Sequence, residues 1–131
     1  MSGLKKENYE KYFNKIANYL DEYLYRHKRY HVNFAIALVY CPEDNLDIDL
    51  LSNTKRKTDR YISLDENLSF IIFDCVDVES SKLATQNLQN RLKENCLTGN
   101  FYFYSTSSMQ YENTSKMLNA LFNELEESLS A

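Results

Sequence analysis

At 131 residues the chain has length for one domain and one core, which predicts a single domain over 1–131. A 44% hydrophobic content with 15 basic and 19 acidic residues excludes a disordered polyelectrolyte, and the net charge of −4 gives no global attraction to nucleic acid. Two glycines and one proline leave almost no material for glycine-rich phosphate loops or a long flexible linker.

Over residues 5–29 apolar side chains recur at Tyr9, Phe13, Ile16, Leu20 and Tyr23, the helical period of a long amphipathic helix. Residues 34–40 are continuously apolar and stop at Pro42, which predicts a central strand covered on both faces. A short helix is expected over 47–57 with Leu46, Leu50 and Leu51 inward. Residues 60–64 alternate, Asp65-Glu66-Asn67 is turn-like and 68–73 rises again, so a hairpin follows. Asp77 caps a further helix with Leu83, Ala84, Leu88, Leu92 and Cys96 inward, ended by Gly99. Residues 101–104 make a last strand, and a terminal helix opening at Asn113 or Thr114 places Leu118, Leu121, Phe122, Leu125 and Leu129 on one side. The order is a helix, then βαββαβ, then a helix. That split βαβ order predicts a ferredoxin-like α+β fold, an antiparallel sheet with its helices on one face. The apolar run at 34–41 is too short to span a bilayer, and three cysteines, an odd number, read as reduced thiols in a cytoplasmic setting.

The stretch Tyr23-Leu24-Tyr25-Arg26-His27-Lys28-Arg29-Tyr30-His31-Val32-Asn33-Phe34-Ala35-Ile36-Ala37-Leu38 resembles the junction where a basic helix end enters the first strand of GGDEF domains, the diguanylate cyclase family. Arg56-Lys57-Thr58-Asp59, then Asp65-Glu66-Asn67-Leu68-Ser69 and Phe70-Ile71-Ile72-Phe73, is similar without a gap to the stretch around that family's signature hairpin. The resemblance covers most of the chain from about Tyr19 onward, with a shortened segment between the first strand and Arg56. It implies a nucleotide-cyclase-like sheet and, in active members, condensation of two GTP molecules into cyclic di-GMP across a dimer, with divalent metals on acidic side chains.

Those chemical groups are missing. The first-strand metal position falls on Tyr40 and the acidic position two further on falls on Pro42, neither a hard carboxylate ligand. The signature hairpin reads Asp65-Glu66-Asn67-Leu68-Ser69 where the family has two glycines, two acids and an aromatic. A Cβ at both glycine positions obstructs close approach of a nucleotide to the backbone, and Leu68 replaces a further acid. Asp65 and Glu66 read as exposed turn residues. The expectation is a degenerate domain with no catalytic residues, no metal and no cofactor: a non-catalytic regulatory or protein-interaction domain. The alternative is a cyclic di-GMP receptor. In active members an Arg-x-x-Asp five residues before the signature binds product, and Arg56 and Asp59 keep that spacing. A guanidinium can grip a phosphate or a guanine edge while the carboxylate accepts from guanine N–H groups; a solvated helix-to-strand corner accounts for the same four residues.

Tyr12 and Tyr19 flank the first helix's apolar stripe, making an arc wider than a two-heptad seam requires, and predict a homodimer interface that includes one of them. The other candidates are weaker. Asn45, Asp47 and Asp49 start like a calcium loop, but Leu50 stands at the turn glycine and Arg56 at the bidentate acid. His27 and His31, among Arg26, Lys28 and Arg29, read as helix-end cations rather than metal ligands. Cys41 and Cys75 have no neighbouring base and read as small core residues; Tyr102 and Tyr104 read as strand packing. No specific nucleic-acid site and no membrane partner are expected.

Overall fold

The structure, a computed structural model, describes residues 8–42, 59–74, 77–95, 101–107 and 114–130. Helix α1 runs Tyr9–Tyr30. Its buried side chains are Tyr12, Ile16, Leu20 and Tyr23, while Tyr9 and Phe13 pack at the margin. The inward stripe is therefore rotated toward Tyr12 from the one the sequence suggests. His31 ends the helix in the left-handed conformation at φ 58°, donating its N–H to the His27 carbonyl at 3.0 Å, and Val32 N–H reaches the Arg26 carbonyl. Those two bonds satisfy carbonyls that the last turn would otherwise leave open, and His27, Lys28 and Arg29 oppose the negative end of the helix dipole.

Strands β1 (Phe34–Tyr40), β2 (Arg60–Asp65), β3 (Leu68–Asp74) and β4 (Tyr102–Ser107) form one antiparallel sheet in the order β2-β3-β1-β4. This is the ferredoxin-like order, preceded by α1, as expected. The register sets Phe34 opposite Asp74, Tyr40 opposite Leu68, and Tyr40 opposite Tyr102 on the other side. Every residue of β1 and β3 is buried, so the two apolar segments do occupy the middle of the sheet. Because β1 and β2 both run antiparallel to β3, they are parallel to each other and need a crossover. The helix expected at 47–57 falls in that stretch and lies outside the described residues.

The expectation of helices on one face is corrected. Phe34, Ile36, Leu38 and Tyr40 of β1 point toward α1 and the terminal helix α3 (Thr114–Ser130), whereas Ala35, Ala37, Val39 and Cys41 point toward α2 (Val78–Asn95). The side-chain period of a strand divides β1 into a large-residue face and a small-residue face, and each face has its own cover. On the first face Phe122 of α3 packs against Tyr9, with ring centroids 4.9 Å apart, and against Phe13 at 5.2 Å. On the second, Leu88 and Leu92 close over the alanines, and Leu83, expected inward, is 60% exposed. Leu129, also expected inward, is exposed, and Met117 takes the additional buried place on α3. Cys96 lies outside the described residues.

Candidate functional site

The end of the sheet that carries the β2–β3 turn is where the sequence places the remnants of nucleotide chemistry. Strand pairing brings the end of β1 beside this turn: Cys41 N–H donates to the Asn67 carbonyl at 2.9 Å, and Asn67 Nδ2 donates to the Pro42 carbonyl at 3.2 Å. Tyr40, only 3% exposed, lies between Leu68 and Tyr102, its ring stacked on that of Tyr102 at 6.1 Å. A register shift between Ser63 and Asp65 interrupts the regular ladder at the end of β2, beside α1. There the Tyr12 hydroxyl donates to Asp65 Oδ2 at 3.0 Å, and the Glu66 N–H donates to Asp65 Oδ1 at 2.8 Å. Both carboxylate oxygens of Asp65 are thus engaged, one by helix α1 and one by its own turn. Burial, with the Asp65 hydrogen bond second, pushes the Tyr12 phenol up to about 12, so it stays a donor at ordinary pH. Glu66 remains exposed.

At the opposite end of the sheet the polar groups are inside. Arg26 Nη1 of α1 pairs with Asp74 Oδ2 of β3 at 2.8 Å, with Arg26 27% and Asp74 1% exposed. The guanidinium also lies over the Tyr23 ring at 4.7 Å. Burial works against the Arg26 charge, but the Asp74 hydrogen bond and charge more than offset it and raise its pKa. Asp59, itself buried, accepts the Asp74 backbone N–H on Oδ1 at 2.9 Å. A carboxylate in that position anchors the start of β2 to the end of β3.

The structure therefore separates the residues singled out in the sequence. Asp59 is directed into the fold, and Arg56, Asn45, Asp47, Asp49 and Cys75 lie outside the described residues. Tyr12 is 3% exposed and belongs to the domain's own core, a correction to its place on an open tyrosine flank, whereas Tyr19 is 42% exposed. His27 donates through Nδ1 to the Val32 carbonyl at 3.3 Å and meets the Phe34 ring edge-on, while His31 is exposed, so they do not converge. Cys41 is a buried free thiol. Among the described residues no three His, Cys, Asp or Glu side chains come together as metal ligands. The Arg26–Asp74 pair was not anticipated; the only signal for it was an acid closing an otherwise apolar strand.

No protein-family model matches the sequence, and no curated protein matches it. Solved structures do match. A DGC protein from Thermotoga maritima superimposes with a TM-score of 0.66 at 11% identity, over 84% of this chain and 91% of that one. PelD 158-CT from Pseudomonas aeruginosa PAO1 gives 0.59 at 12% identity, over 87% of this chain. The same PelD fragment in complex with c-di-GMP gives 0.58 at 12%. This chain spans about 45% of the length of the PelD fragment. The fold is GGDEF-like. Within a GGDEF-like frame, the metals implied for active members need hard oxygen ligands at the end of β1 and in the hairpin. At the positions that carry those ligands stand a buried phenol at Tyr40, a Pro42 carbonyl that accepts from Asn67, and the apolar Leu68, while the hairpin acids Asp65 and Glu66 fall where the family has glycines. They do not fit a Mg²⁺–triphosphate. No helix among the described residues is long and apolar enough to cross a membrane.

Proposed function

We propose that this chain is a non-catalytic regulatory domain on a GGDEF-like fold, working by binding a protein or a second copy of itself rather than by turnover. The observation that carries this reading is the closed end of the sheet: Asn67 bonded to Pro42, Tyr40 packed on Tyr102, and the Asp65 carboxylate held by Tyr12 and the Glu66 N–H. Two triphosphates brought together need their charge neutralised by cations, and the end of β1 offers a packed phenol and a proline carbonyl where carboxylate ligands would be needed. The test is incubation of the purified chain with Mg²⁺ and GTP. No cyclic di-GMP is expected; its formation at a rate that falls in Asp65→Asn or Glu66→Gln variants overturns the reading.

A second reading, a cyclic di-GMP receptor using Arg56 and Asp59, draws support from the PelD fragment solved with c-di-GMP. Asp59 is buried with Oδ1 on the Asp74 N–H, so this reading rests mainly on Arg56. Calorimetric titration with cyclic di-GMP separates the two readings: saturable binding abolished by Arg56→Ala establishes the receptor, and its absence leaves the protein-interaction role. For self-association, the exposed side of α1 that carries Tyr19 is the proposed contact, and light scattering of Tyr19→Asp against the parent chain tests it.

A further inference from the structure

A cleft of about 360 Å³ opens between α1 and the outer edge of β2, lined by Lys15, Tyr19, Arg60, Tyr61, Ile62 and Ser63. No acidic residue among those described lines it. Lys15 and Tyr19 stand one helical turn apart and so face the same side of α1. Arg60 and Ile62 share a face of β2, with Ile62 buried as an apolar floor and Arg60 exposed. Lys15 Nζ donates to the Ser63 carbonyl at 2.5 Å, which fixes the ammonium over one end of the cleft and leaves it two further donors. Arg60, three residues earlier on the strand and so roughly 10 Å away, lies at the other end. Neither cation has a carboxylate partner among the described residues, and Glu22, one turn beyond Tyr19, acts on Arg26 instead.

The occupant is constrained by the same contacts. An added peptide strand would need the outward Ser63 carbonyl, which Lys15 already holds, so the edge is blocked to strand addition at that point. The volume lies within the range of small-ligand sites. Cations at both ends, an exposed tyrosine wall and an apolar floor suit a planar ring carrying a negative group.

We propose that this cleft binds a small phosphorylated nucleoside, the phosphate held by Arg60 or Lys15 and the base stacked on Tyr19. Asp59 is not among the lining residues, and the proposal does not depend on whether the chain is catalytic. Two-dimensional NMR titration of the full chain with AMP and with GMP tests it. Saturable shifts are expected in the backbone amides of residues 15–19 and 60–63 with at least one of the two. Arg60→Gln and Lys15→Gln should each weaken binding about tenfold, from the loss of a charge-assisted contact. Tyr19→Leu should weaken it by about fivefold or more. Inorganic phosphate and adenosine, each carrying half of the recognised chemistry, should shift the same amides only at higher concentration. Arg56→Gln should leave the titration unchanged. No saturable shift at residues 60–63 with either nucleotide overturns the proposal, as does binding indifferent to both cation variants or binding that Arg56→Gln removes.

Discussion

The two ends of the sheet use polar residues in opposite ways. At the turn end, Asp65 is an exposed carboxylate whose two oxygens are taken by a tyrosine hydroxyl and a backbone N–H, and Asn67 ties the turn to Pro42. At the other end, Asp74 and Asp59 are buried, and one is paired with the guanidinium of Arg26. The first end is held by neutral or solvent-screened bonds, each of modest value, the second by an ion pair whose carboxylate is fully buried. An acid in a GGDEF-like sheet is therefore not by itself a sign of chemistry: here the most buried acids hold β2, β3 and α1 together, and the exposed one closes a turn.

The comparison breaks most readily at the buried end. Arg26→Ala leaves the Asp74 carboxylate inside without its cation and should cost about 3–5 kcal/mol in chemical denaturation. Asp74→Ala should cost less, because the Arg26 side chain can still reach water. A loss under about 1 kcal/mol in Arg26→Ala would equate the two ends.

Alkaline titration probes both ends together. Burial comes first in raising the phenols of Tyr12 and Tyr23 to about 12 from an ordinary value of 10.0, followed by the Asp65 hydrogen bond at the turn end and by the Asp74 charge at the other. Their folded pKa values lie above the unfolded ones, so this stabilisation is fully present below pH 10 and is lost as pH rises from 10 through 12. Circular dichroism followed against phenolate absorbance should show unfolding and tyrosine ionisation together in that window. Early ionisation of all tyrosines with the fold retained would contradict the burial.

Asp59→Ala removes the acceptor of the Asp74 N–H and should cost about 1–3 kcal/mol. It also separates structure from binding, since a cyclic dinucleotide effect in this variant has to be corrected for the lost stability. Tyr12→Phe keeps the ring packed beside Phe122 and removes only the hydroxyl on Asp65, for a loss of about 0.5–1.5 kcal/mol. Glu66→Gln, at an exposed turn side chain, should change stability by less than about 0.5 kcal/mol. A large loss there would mean that the turn end carries more of the fold than its hydrogen bonds indicate.

Much was determined by the sequence alone. The unbroken apolar run at 34–40 and the run at 68–73, interrupted only by Ser69, required central strands, because residues on both sides of a strand must then be covered. The helix period placed α1 and α3, and the turn residues Asp65, Glu66 and Asn67 placed the hairpin. The absence of acids at positions 40, 42 and 68 was likewise legible, since it depends only on residue identity at aligned positions. The tertiary structure decided which flank of α1 faces inward: Tyr9, Phe13 and Tyr12 are equally compatible with a helical stripe and all three meet the ring of Phe122, over a hundred positions away, yet only Tyr12 is fully buried. It also decided that helices cover both faces, that Leu83 stays outside, and that Arg26 meets Asp74 across 48 residues of sequence. Periodicity reports the local geometry of one element, whereas the partner of a buried charge or ring is set by strand order and helix placement, which no local pattern encodes.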